Sequence, residues 1–172
     1  MKIPLKVIRW TSLVSFPVFL LTAPNSSALA SKIATCTESL ISTGLGKSPA
    51  AVACSDALKP QDIEDCVVQI TTKTSIKANN ALQSCYRVRR PDELSSCVTS
   101  ISSINNELGP DISAMALNTC RRSLLPKRQA ECTLNLVTIA EISSEEAIES
   151  CIAAQLTPGK LPPGELPPKV SE

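Results

Sequence analysis

Three segments of the chain share one pattern, Cys-x5-Pro-x5-Cys, with the proline at the midpoint. They run from Cys54 to Cys66 around Pro60, from Cys85 to Cys97 around Pro91, and from Cys120 to Cys132 around Pro126. Almost nothing else is common to them. The prolines lie 31 and 35 residues apart, a period at which supersecondary units stack on one another. Proline suits the first turn of a helix, where its missing N–H has no partner to lose. It also drives the residue before it out of the helical region. Each proline is therefore expected to end one helix and start the next.

The residues after each proline carry a helical stripe. Ile63, Cys66, Val67 and Ile70 follow i, i+3, i+4, i+7 spacing, and so do Leu94, Cys97, Val98 and Ile101, continued by Ile104 and Leu108. After Pro126 the stripe is less regular and reads Ala130, Cys132, Leu136 and Ile139, with Leu134 and Val137 beside it. These are amphipathic helices with a cysteine in the apolar face; we call them A helices. Breaks follow at Thr74-Ser75, Gly109-Pro110 and Ser143-Ser144, the last with a capping-box spacing from Ser143 to Glu146. A second helix, B, then holds an apolar pair three and four residues before its cysteine: Ala81 and Leu82 before Cys85, Ala116 and Leu117 before Cys120, Ala147 and Ile148 before Cys151. The N-terminal segment fits the same scheme. Ile33, Cys36 and Leu40 form a short A helix, Thr43–Gly46 breaks it, and Ser48-Pro49 starts a B helix with Ala50, Ala51 and Cys54. The fold class expected is all-α: four disulfide-stapled helical hairpins, about eight short helices, stacked as a small α-solenoid or bundle.

Within one hairpin the two cysteines lie at similar distances from the turn, so on antiparallel helices they come level. The pairing expected is Cys36–Cys54, Cys66–Cys85, Cys97–Cys120 and Cys132–Cys151. The rival scheme joins cysteines across the proline turns, Cys54–Cys66, Cys85–Cys97 and Cys120–Cys132. It leaves Cys36 and Cys151 at opposite ends of a linear stack.

The ends differ from the repeat. Lys2, Lys6 and Arg9 precede an apolar run over 10–23 that is shorter than the ~20 residues a bilayer crossing needs. Ala28-Leu29-Ala30 has the small-x-small form of a cleavage site. Residues 1–30 are read as a secretory signal, 31–156 as the cysteine-containing helical domain, and 157–172 as a Pro-rich tail, extended or disordered. An uncleaved anchor and a lipid-attachment site at Cys36 are the rivals at the N-terminus. An even number of cysteines in an exported chain points to disulfides rather than free thiols.

Removing Lys2, Lys6 and Arg9 turns a formal charge of +1 into −2, which argues against a nucleic-acid partner. The chain has no histidine, which excludes Ser-His and Cys-His nucleophile systems. No Cys-x-x-Cys or short-range zinc spacing occurs, and neither metal nor cofactor is expected. Carboxylates at Asp62, Glu64, Asp65, Asp92 and Glu93 read as helix N-terminal acids that meet the dipole. One charge feature recurs with the repeat: Arg87, Arg89 and Arg90 follow Cys85, and Arg121, Arg122, Lys127 and Arg128 follow Cys120. Stacked units would set both clusters on one edge, with Glu107, Asp111, Glu141, Glu145 and Glu146 on the other. The bland account of the cations is dipole complementation at helix C-termini; the functional account is a basic edge that docks an anionic partner. The function expected is a non-catalytic interaction or structural module in the periplasm or extracellular space. Its expected partner is another envelope or extracellular protein, with no stable membrane insertion. The alternatives are a carrier of small apolar ligands or lipids, and thiol-based metal binding.

Overall fold

The computed structural model describes residues 26–104 and 110–156. Among them lie eight α-helices: α1 Ser26–Ser42, α2 Lys47–Asp56, α3 Pro60–Lys73, α4 Ala78–Arg87, α5 Pro91–Ser102, α6 Pro110–Arg122, α7 Pro126–Ile139 and α8 Ser144–Leu156. Glu107 and the tail 157–172 lie outside the described residues, as do residues 1–25 of the expected signal. The expected cleavage point at Ala30 falls inside α1, after residues 28–30, which are exposed.

The helices form four hairpins in two layers. The odd-numbered A helices pack side by side in chain order, α1 on α3, α3 on α5 and α5 on α7. Each even-numbered B helix packs on its hairpin partner, and α2, α4 and α6 also touch the A helix that follows. In the B layer α6 meets α8, whereas α2 and α4, and α4 and α6, scarcely meet. The A layer is therefore continuous, and grooves run between α2 and α4 and between α4 and α6.

One bridge staples each hairpin. Cys36–Cys54, Cys66–Cys85, Cys97–Cys120 and Cys132–Cys151 all have Cα–Cα separations of 6.0 Å. No bridge crosses a proline turn. Four staples in one small domain are characteristic of chains that fold in an oxidising environment. The residue four before each B-helix cysteine is alanine, and Ala50, Ala81, Ala116 and Ala147 are all fully buried. A side chain no larger than methyl lets the two helices close at the bridge. Around the sulfurs the core is aliphatic, with Leu40, Val67, Ile70, Leu94, Val98, Ile101 and Ile148 fully buried. It contains no described aromatic ring.

Pro60, Pro91 and Pro126 open α3, α5 and α7 and are buried. The residue before each is held at almost one φ: −134° at Lys59, −132° at Arg90 and −131° at Leu125. This is the non-helical conformation that a following proline ring enforces. α1 ends by a different device. Gly44, at φ 93°, donates its N–H to the Ile41 carbonyl, and Leu45 donates to the Leu40 carbonyl. These two bonds are a Schellman closure, and the buried pair Leu40 and Leu45 supplies the apolar contact that accompanies it.

Two expectations need correction. α2 starts at Lys47 with Gly46 as N-cap, not at Ser48-Pro49. Pro49 lies inside the first turn, where its missing N–H still costs nothing. The stripe of α7 is also different. Its buried residues are Pro126, Gln129, Ala130, Thr133 and Val137, Cys132 is half-buried, and Ile139 is 80% exposed. Gln129 and Thr133 occupy the places that Ile63 and Val67 hold in α3. Two polar residues in core places hid the true register. The Thr133 hydroxyl is satisfied locally, donating to the Gln129 carbonyl at 3.0 Å, as Thr99 does to Ser95 at 2.8 Å.

Candidate partner-binding edge

The B-to-A connections are three residues long in each case: Ala57–Lys59, Val88–Arg90 and Ser123–Leu125. Their burial repeats as well. The first residue is half-buried, the next two are exposed, and the proline that follows is buried. The middle residues, Leu58, Arg89 and Leu124, form the tips, and Leu58 and Leu124 are 100% and 86% exposed. The first two turns are neighbours: Leu58, Lys59, Asp62, Tyr86, Arg89 and Pro91 border one open groove of about 490 Å³. The third turn continues the row, because α7 lies against α5 as α5 lies against α3.

All seven candidate cations are exposed. Arg87, Arg121 and Arg122 sit in the last turns of α4 and α6, where a cation meets the negative end of the helix dipole. Arg121 also donates through Nε and Nη2 to Asn118 Oδ1, at 3.3 and 3.0 Å. Arg90 Nη1 donates to Glu93 Oε1 at 2.9 Å. The first turn repeats that i,i+3 arrangement loosely, with Lys59 Nζ 3.8 Å from Asp62. For these residues local stability is a sufficient explanation.

Lys127 and Arg128 are different. They occupy the first turn of α7, which holds no acid, whereas α3 has Asp62 there and α5 has Asp92 and Glu93. A helix N-terminus carries partial positive charge, and cations there are unfavourable. From Arg121 to Arg128 the chain reads Arg-Arg-Ser-Leu-Leu-Pro-Lys-Arg, with four cations and no acid around two exposed leucines. Dipole complementation accounts for Arg121 and Arg122 and not for Lys127 and Arg128. The acids expected on the opposite edge are of the ordinary kind: Asp111 lies in the first turn of α6, and Glu145 and Glu146 in that of α8.

Three of the acids near the starts of α3 and α5 have partners of their own. Asp62 faces Lys59, Glu93 accepts from Arg90, and Glu64 Oε1 accepts the Ser39 hydroxyl across α1 and α3 at 2.6 Å. Reading the sequence for charge alone missed the exposed tips. Their signal was present: Leu58 and Leu124 each stand two residues before a repeat proline, outside every apolar stripe.

No family model matches the chain, and no curated protein or solved structure matches it.

Proposed function

We propose that this chain is an exported, non-catalytic interaction module of the periplasm or extracellular space, which docks an anionic partner through its B-to-A edge. One observation carries the reading. The third turn gathers Arg121, Arg122, Lys127 and Arg128 about exposed Leu124, and two of these cations stand where the α7 dipole disfavours them. Groups kept against local stability are the mark of a site. Stacked hairpins with rigid staples hold such turns in fixed relation, which suits extended binding surfaces. The test is capture of partners from an envelope extract with the native chain and with a variant in which these four cations are replaced by Glu. Loss of a captured component supports docking through this edge. Identical capture by both overturns it.

The apolar-ligand reading has one observation in its favour. Pro49, Val52, Leu82 and Tyr86 border an open groove of about 510 Å³ between α2 and α4. It requires lipid or a small apolar molecule in native mass spectra of the purified chain. Thiol-based metal binding would require opening bridges, since all eight sulfurs are paired.

A further inference from the structure

The three turn tips pose a problem for a protein partner. Leu58 and Leu124 protrude almost wholly into solvent, and they stand at the same place in their units. A protein surface would need a separate pocket for each, matched to the spacing of the hairpins. A bilayer interface accepts protruding leucines anywhere on its plane, while cations around them meet anionic headgroups.

Charge favours the same occupant. Across residues 56–62, 86–93 and 121–128 there are eight cations and four acids. The imbalance grows along the stack: the first turn has a net negative charge, the second a slight positive excess, and the third four cations with no acid. Ion pairs occupy Lys59 and Arg90 in the first two turns. Neither Lys127 nor Arg128 forms one among the described residues. The most basic turn is also the one with two adjacent exposed leucines, Leu124 and Leu125. Leu124 and Leu125, flanked by cations that form no ion pair among the described residues, suit a fluid anionic surface better than a forked acidic ligand. Among the described residues no helix is long and apolar enough to cross a membrane; the contact inferred here is a peripheral one.

Resting on the docking reading above, we infer that the anionic partner is a lipid surface. The third turn enters the headgroup region with Leu124 and Leu125 while Arg121, Arg122, Lys127 and Arg128 contact anionic headgroups, and Leu58 and Arg89 touch down beside it. The edge then sets the stack upright on the membrane and leaves the opposite edge, with Asp111, Glu145 and Glu146, facing away.

The experiment is flotation of the full exported chain with vesicles of phosphatidylcholine alone and of phosphatidylcholine mixed with phosphatidylglycerol. Binding to the mixed vesicles, absent on the neutral ones and reduced by salt, is expected. Each cation removed from the third turn should weaken binding roughly fivefold. Leu124→Ser with Leu125→Ser should weaken it at least about tenfold at unchanged charge, since each leucine loses its apolar contact. Circular dichroism and disulfide mapping confirm that the variants keep the fold. Leu58→Ser serves as a second variant, away from the third turn, and should produce a smaller loss. Failure of the native chain to float on mixed vesicles overturns the lipid assignment, and so does binding that ignores the leucines. If flotation fails while the four-Glu variant still loses an envelope component, that component is a protein and the docking edge stands. If neither assay responds to the four substitutions, the docking edge falls as well.

Discussion

The side-chain amide of Gln129 donates from Nε2 to the Ile148 carbonyl at 3.4 Å, joining α7 to α8 inside the core. Gln129 is fully buried and stands three residues after its proline, where α3 has Ile63 and α5 has Leu94. The other units thus indicate what the place accepts. Gln129→Leu is expected to change stability by less than about 1.5 kcal/mol, because it keeps volume and removes a buried polar group. Gln129→Ala should destabilise by roughly 2–4 kcal/mol through the cavity it leaves. Urea unfolding of the oxidised protein measures both, and equal losses would show that the hydrogen bond rather than volume holds this place.

Each bridge restrains the unfolded chain over a sequence separation of 18 to 23 residues. Replacing Cys97 and Cys120 together by Ala is expected to cost about 3 kcal/mol, the chain-entropy value for a loop of this length. The partner experiment is replacement of Cys97 alone. It should leave Cys120 as a free thiol, seen by Ellman titration, and not divert Cys85 into a new bridge, since Cys85 is already level with Cys66.

Among the described residues two A-to-B turns carry a positive φ, and they are unequal. Gly44 at 93° suits its place, whereas Glu141 at 56° does not. Gly44→Ala should destabilise by about 1 kcal/mol from backbone conformation alone. There is no steric component, because an added Cβ would meet nothing within 4 Å. Glu141→Gly should stabilise by up to about 1 kcal/mol. Thermal melts of the two variants should move in opposite directions.

The third turn couples stability and binding with opposite signs. Lys127→Glu and Arg128→Glu remove cations from the positive end of the α7 dipole and supply the acids that α3 and α5 already have there. Each should stabilise by about 0.3–1 kcal/mol. Both should weaken docking. A denaturation midpoint that falls in these variants would refute the argument that local stability does not explain the cations.

The hairpins were legible in the sequence wherever the residue types obeyed the period. Three prolines marked three helix starts, and the end cysteines Cys36 and Cys151, which the rival set leaves without a neighbour, pointed to the within-hairpin bridges that are found. The register of α7 was not legible, because Gln129 and Thr133 are polar residues made acceptable by hydrogen bonds that only the folded helices provide. Ile139 was drawn into the stripe in their place, although the helix ends there with its side chain in solvent. The docking edge was legible in its charges and not in its leucines. An apolar residue in a loop has no periodic signature, and its exposure becomes known only when the turn is built. By charge alone Lys127 and Arg128 group with the helix C-terminal cations. Their location directly after Pro126, a helix start that the sequence marks, puts them at the wrong end of a dipole.

Every bridge closes inside its own hairpin, and neighbouring hairpins are joined by a three-residue link and by packing alone. A chain pulled from its ends would part between hairpins first, each hairpin surviving as a closed loop that adds no length. The same arrangement matters for heredity. A whole interior unit can be duplicated or deleted without leaving an odd cysteine or forcing any other pair to change partner. The stack can therefore lengthen or shorten by whole units, with its cross-links intact at every step.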